Sequence, residues 1–489
     1  MFGAALWCCD PISIHPRGIA AYVLLMAAIE FGYPVVVLAL VVADDFAPDA
    51  SWLFHTLPIR FVPQRAPEGS ARVTMVLSRL DRRLECVIWE TKKGRHEMNR
   101  RNFLGESVKG AAGAALMNFG PFLKGAPFFN SDSYRLFAGS EQTYSARTIE
   151  LVQRTTVIDM LAPLWISPSR TMKMLGNPEN FTAEDYAPYK QSGINVFHIA
   201  IGTGGPEAYL ETLQFLSGYN TFLARHDNWF ERVETTARLD GIKASGKVGI
   251  LLGVQNSEHF RKVDDVDYFY GVGQRVSQLT YNARTLIGNG STERRDEGLS
   301  DYGLAIVERM NKVGMAVDVS HCGDRTTLDA FDVSKKPVLI THSNCRALNP
   351  THPRCKTDEA IKAMAAKGGV MGITEVRMFI TAKEPTTIET MLDHFDYVAK
   401  LVGVEHLGVG SDIDLLGYDA MPPEELKQLK ASYKGSYGFR DKVDIDGYNY
   451  AKRPFDLAEG LIRRKYSDND IELVLGGNFR RVLKQIWTV

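Results

Sequence analysis

Eight short apolar runs rich in β-branched residues, separated by stretches of helical period, constrain this 489-residue chain more than any other feature. The runs are 156–160, 194–201, 248–254, 276–280, 315–320, 337–341, 369–374 and 406–411. Strands that are apolar on both faces belong to covered parallel sheets, and parallel neighbours need a crossover, usually a helix. Amphipathic segments at 301–313, 324–333, 358–366 and 387–401 supply such crossovers. Ser300 with Asp301, and Thr357 with Asp358, stand where helix N-caps belong. Eight strand–helix units in about 330 residues predict an α/β fold, a single (β/α)8 TIM barrel. No glycine-rich dinucleotide fingerprint follows the first strand, which argues against an open doubly wound sheet.

In a barrel of this kind the site is built at the C-terminal ends of the strands. The predicted ends carry Asp159, His198, Gln255, Tyr281 with Asn282, His321, His342, Glu375 and Asp412. His321 and His342 close neighbouring strands, and two imidazoles in one mouth can bind one divalent ion, typically zinc. Asp412 either holds a metal, takes a proton from attacking water, or caps the following helix. Arg354, in His352-Pro353-Arg354, either clamps a carboxylate with both arms of its guanidinium or is a solvated surface residue. Six cysteines are too few for a disulfide scaffold at this length. Cys322, Cys345 and Cys355 fall near the mouth, where they pair, replace a metal ligand, or simply fill small buried spaces.

The formal net charge of −1 gives no electrostatic reason to expect nucleic acid as a partner. Upstream of the barrel, residues 19–43 are apolar and long enough to span a bilayer, although Glu30 and Pro34 interrupt them. Met98 opens Met98-Asn99-Arg100-Arg101-Asn102-Phe103-Leu104, followed by a small, apolar stretch at 108–122. Paired arginines before a modest apolar stretch read as a twin-arginine export signal, which works at an N-terminus. Met98 is therefore read as the true start, residues 1–97 as an upstream extension, 98–142 as signal peptide and linker, and 143–489 as the barrel. That places the protein in the periplasm or outside the cell. The alternative is an N-terminal membrane anchor in 1–97, with the arginine pair a chance feature.

Several ordered motifs resemble the renal (membrane) dipeptidase family of zinc peptidases. They are Gly298-Leu299-Ser300-Asp301-Tyr302-Gly303, Asp318-Val319-Ser320-His321, Thr341-His342-Ser343-Asn344-Cys345-Arg346, His352-Pro353-Arg354, Gly410-Ser411-Asp412 and Gly476-Gly477-Asn478-Phe479. The resemblance implies a barrel of the amidohydrolase (metallo-dependent hydrolase) type that cleaves dipeptides with two zinc ions. It implies that His321 and His342 bind one zinc, that Arg354 grips the substrate carboxylate, and that Asp412 serves the other metal and proton transfer.

Three positions depart from the family pattern. A His-x-Asp pair is expected after the first strand, where Leu161 and Pro163 stand; the bridging glutamate is Gln255; a substrate-binding histidine is Tyr281. Leucine and proline cannot ligate, and a neutral amide suits zinc poorly. The expectation is one zinc ion at His321 and His342, completed by Asp412, Gln255, His198 or water, with two ions disfavoured. The expected activity is hydrolysis of a dipeptide or dipeptide-like amide, with Tyr281 and Arg354 on the substrate; homodimerisation is left open. Two alternatives stand beside it: a barrel that has lost catalysis and acts as a periplasmic binding or maturation protein, and another metal-assisted hydrolysis, of a lactone or phosphoester.

Overall fold

The computed structural model describes residues 143–164, 167–433 and 440–487, and ahead of them only the backbone of short paired strands. The chain divides into two units, Met1–Gly110 and Ala111–Val489. In the first, Ala20–Glu30 pairs antiparallel with Tyr33–Val42, two strands within the apolar run. Ile59–Gln64, Arg72–Arg79 and Arg82–Ile88 make a three-stranded antiparallel sheet. Among the described residues no helix is long and apolar enough to cross a membrane. Met98, the Arg100-Arg101 pair and the stretch at 108–122 lie outside the described residues.

The second unit holds the eight parallel barrel strands that the sequence predicts. They are β1 (Ile158–Asp159), β2 (Val196–Ile201), β3 (Val248–Val254), β4 (Val276–Gln278), β5 (Ala316–Asp318), β6 (Ile340–Ser343), β7 (Met371–Ile373) and β8 (Leu407–Val409). Their order around the sheet is β5-β4-β3-β2-β1-β8-β7-β6. Between β5 and β6 the ring closes on a single bridge, Asp318 to Leu339, with backbone bonds of 2.9 and 3.0 Å. The helices Asp301–Val313, Asp324–Val333 and Asp358–Ala366 begin and end where the sequence places them. Ser300 and Thr357 cap as expected, accepting from the N–H groups of Gly303 and Ala360.

Strand side chains alternate, so residues two apart share a face. One inward layer is apolar: Ile158, Val196, Leu251, Val276, Ala316, Leu339 and Val370 pack in one cluster with Phe479 of the C-terminal helix Asn478–Ile486. Phe479 fills the space beside Gly408, where a Cβ would lie 2.4 Å from its ring. Two residues further along the same faces the layer turns polar at His198, Gln278, Asp318 and Thr341, all buried. The barrel thus offers an oily floor and a polar mouth.

Glycine sets how closely β6, β7 and β8 approach. A Cβ on Gly372 would meet the Thr341 carbonyl oxygen at 2.1 Å, and one on Gly410 would meet it at 1.9 Å. Gly241, in the helix Thr236–Ser245, has nothing within 4 Å of the same position. Gly372→Ala is expected to cost about 1–3 kcal/mol of stability, as overpacking does, while Gly241→Ala is neutral or stabilising by up to about 1 kcal/mol. Denaturant unfolding of both variants checks this, and equal losses would contradict the packing.

Candidate functional site

His321 and His342 meet in the mouth with their Nε2 atoms 3.0 Å apart. The hydrogen bonds behind them determine which ring nitrogens carry protons. His321 Nδ1 lies 2.8 Å from Asn282 Oδ1, an acceptor, so Nδ1–H donates. His342 Nδ1 lies 2.8 Å from Thr341 Oγ1, and that hydroxyl donates to Asp318 Oδ2 at 2.8 Å. With its proton on the carboxylate, Thr341 accepts from His342 Nδ1–H. The reverse arrangement would strip Asp318 Oδ2 of its hydrogen bond. Both Nε2 atoms therefore present lone pairs, and two lone pairs at this separation repel unless an electrophile joins them. Bonds of 2.0–2.1 Å to a tetrahedral zinc would set two nitrogens about 3.3 Å apart. The pair fits two vertices of such a site.

Burial holds both imidazoles well below the usual histidine range, and the positive charges of Arg354 and Lys356 act in the same direction. The pair is thus neutral, the form a metal requires. Tyr281 stacks on the His321 ring at 4.2 Å between centroids, and its own ring lies against Gly202. The Asp412 carboxylate accepts no hydrogen bond from the described residues; burial, opposed by Arg354 and aided by Asp159, pushes it up to about 7.

Other predicted positions are arranged differently. His198 lies within β2, not at its end: Nδ1–H donates to the Met160 carbonyl at 2.6 Å, and Nε2 is buried without a partner beside Gly253. Gln255 donates weakly to the Ala200 carbonyl at 3.4 Å and leaves Oε1 buried and unpartnered. Among the described residues, no three His, Cys, Asp or Glu side chains gather closely enough to hold an ion. Arg354 is 1% exposed and its arms are taken up by backbone carbonyls, where the sequence offered a solvated or substrate-facing side chain. Cys322, Cys345 and Cys355 are free, buried thiols.

The first-metal half of the expected site does not fit an ion. Leu161 is fully buried, Pro163 is half-buried, and neither can ligate. Asp159, in β1, and Glu375, just after β7, face the helix Arg453–Arg463 instead of the mouth. Asp159 pairs with Arg453 at 2.9 Å, both 1% exposed, and Glu375 accepts from the Tyr448 hydroxyl at 2.9 Å. Those partners engage the two carboxylates away from the mouth, which a list of strand ends does not show. Sequence reasoning also passed over Asp318, Thr341 and Lys356, whose work is done on backbone and neighbours.

Against known proteins, a family model for membrane dipeptidase (peptidase family M19) matches residues 151–433. Dipeptidase verJ of Clonostachys rogersoniana is 30% identical over 283 residues, 57% of this chain and 66% of that protein. Dipeptidase 3 of Homo sapiens is 25% identical over 264 residues, 53% of this chain and 49% of that protein. The chain thus spans between about half and just under two thirds of these relatives' length. A crystal structure of an amidohydrolase from Pseudomonas aeruginosa superposes with a TM-score of 0.60 at 27% identity, covering 70% of this chain and 99% of that one. A metallo peptidase from Rhodobacter sphaeroides, liganded with a phosphinate mimic of L-Ala-D-Ala, shares the fold with a TM-score of 0.55 at 18% identity, covering 68% of this chain and 99% of that one.

Glu375 gives the region a pH signature. Burial, opposed by Arg453, raises its carboxyl to about 8. A raised carboxyl value means that the folded state holds the proton longer than the unfolded chain. The stability this contributes is complete below the unfolded value near 4.3 and is lost as pH rises through about 8. Glu375→Gln keeps an acceptor for Tyr448 and removes the titration. Unfolding followed from pH 5 to 9 is expected to show the variant equal to the wild type at the acid end and more stable above pH 8. Parallel curves would contradict the assignment.

Proposed function

Because the chain belongs to the membrane dipeptidase family, peptidase family M19, we propose that it is a metal-dependent hydrolase that cleaves the amide of a dipeptide or dipeptide-like substrate with one zinc ion at His321 and His342. The observation that carries this reading is the convergence of two neutral imidazoles, both with Nε2 lone pairs, at 3.0 Å. When bound, zinc supplies Lewis-acid activation of water near neutral pH.

The protein's own groups supply the rest. Asn282 and the Asp318–Thr341 pair hold the two rings in the ligating tautomer. Asp412, with a carboxyl near 7, is matched to accepting a proton from water at neutral pH. Tyr281, stacked on His321, forms a wall for the substrate beside the pair. The small apolar and peptide groups of a dipeptide suit a mouth of this kind, and nothing in its charge calls for nucleic acid. Export through a twin-arginine signal belongs to the same reading and rests on Arg100-Arg101 alone.

A second reading is favoured by Leu161, Pro163 and Gln255: a barrel that binds its ligand, or takes part in maturing one, without cleaving it. Hydrolysis of a dipeptide panel by the purified chain, with and without chelation, separates the two. The enzymatic reading expects activity that chelation abolishes and zinc restores, together with a loss of at least 100-fold in His321→Ala and His342→Ala. Hydrolysis that persists after chelation and in both variants contradicts the metal assignment. Tight binding of intact dipeptides without turnover favours the second reading.

A further inference from the structure

We infer that Gln255 and His198 form an acceptor subsite on the β2–β3 side of the mouth, which takes the α-ammonium group of a dipeptide-like substrate. The inference rests on the reading of the mouth as a dipeptide site and names the end of the substrate held there.

Both side chains bring lone pairs that no described protein group uses. His198 Nδ1 lies 2.6 Å from the Met160 carbonyl, which can only accept, so Nδ1 carries the proton and Nε2 the lone pair. Burial holds this ring below the usual histidine range and thus neutral. Its Nε2 is buried without a partner and stands 2.1 Å from where a Cβ on Gly253 would lie, so that glycine makes room for the ring. Gln255 is oriented in the same way. Its amide nitrogen donates to the Ala200 carbonyl, which leaves Oε1 buried and unpartnered. A buried acceptor without a donor is destabilising, so two of them in one region call for a ligand that donates.

The two acceptors share the inner face of β3. Leu251 belongs to the interior cluster, and Gly253 and Gln255 follow it in steps of two. The Gln255 N–H donates to the Ile201 carbonyl at 2.8 Å, which carries the register past the end of the strand. Gln255 therefore stands about 6–7 Å beyond Gly253 along the strand, half-buried at the opening, with His198 one layer below. Tyr281 joins this region to the histidine pair. It follows β4 and stacks on His321, and its ring lies 3.2 Å from where a Cβ on Gly202, just after β2, would stand. Because β3 lies between β4 and β2, that ring crosses the end of β3, where Gln255 is.

The sign of the subsite selects one end of the substrate. Uncommitted lone pairs repel a carboxylate and accept from an ammonium, whose three protons can serve more than one acceptor. In a dipeptide a single carbon separates the ammonium nitrogen from the scissile carbonyl. An amino terminus held at Gln255 thus keeps that carbonyl beside His321 and His342.

Calorimetric titration of the chelator-treated full chain with alanyl-alanine and with propionyl-alanine, which lacks only the ammonium group, tests the inference. Alanyl-alanine is expected to bind about 10- to 100-fold more tightly, as a hydrogen bond to a charged group does. Gln255→Met is expected to remove most of that preference and His198→Phe part of it, while Gln255→Glu, which keeps an acceptor, retains or increases it. If His198→Phe does not fold, Gln255→Met decides alone. Equal binding of the two probes, no binding of either, or a preference that survives Gln255→Met would overturn the inference. Zinc uptake by the same preparations tests the metal reading separately: a chain that takes up no zinc yet keeps the preference refutes the metal and supports the subsite.

Discussion

The carboxylate of Asp318 closes this barrel. Between β5 and β6 the backbone provides one bridge, and Asp318 supplements it by accepting from Ser320 N–H at 3.0 Å, Ser320 Oγ at 2.6 Å, Thr341 N–H at 3.0 Å and Thr341 Oγ1 at 2.8 Å. A fully buried carboxylate is costly unless it is well hydrogen-bonded, and removing it would leave four donors buried without partners. The last of those donors, the Thr341 hydroxyl, also fixes the proton on His342. Closure of the fold and the protonation pattern of the site thus share one side chain, which explains why the candidate centre lies on this seam.

Charge is organised differently at the two sides of the mouth. On the β5–β6 side two buried cations, Arg354 and Lys356, are compensated by carbonyl dipoles, and neutral imidazoles face the opening. On the β1 side Arg453 neutralises Asp159 in the layer outside the strands, while Leu161 fills interior space. The chain shares the family's barrel, yet Leu161 and Pro163 offer no ligating atom on the β1 side.

Much of this was legible in the residues. Eight β-branched runs, Ser300 and Thr357 as caps, and two histidines after neighbouring strands followed from period, cap chemistry and position. What was not legible depended on direction. Asp159 and Glu375 end strands as His321 does, but Arg453 and the Tyr448 hydroxyl take up their carboxylates. Arg354 lies in the right motif, but only its hydrogen bonds show that its arms are occupied. His198 sits inside β2, because the strand runs three residues beyond it. Motifs specify which residues are available; the partners that engage each side chain decide what it does.

Crystals of the full chain soaked in zinc and measured on either side of the zinc absorption edge test the central claim most directly. One anomalous peak per chain is expected, within about 2.1 Å of Nε2 on both His321 and His342, and none beside Leu161 and Gln255. Two adjacent peaks, or a fully soaked crystal with no peak between the histidines, would contradict it.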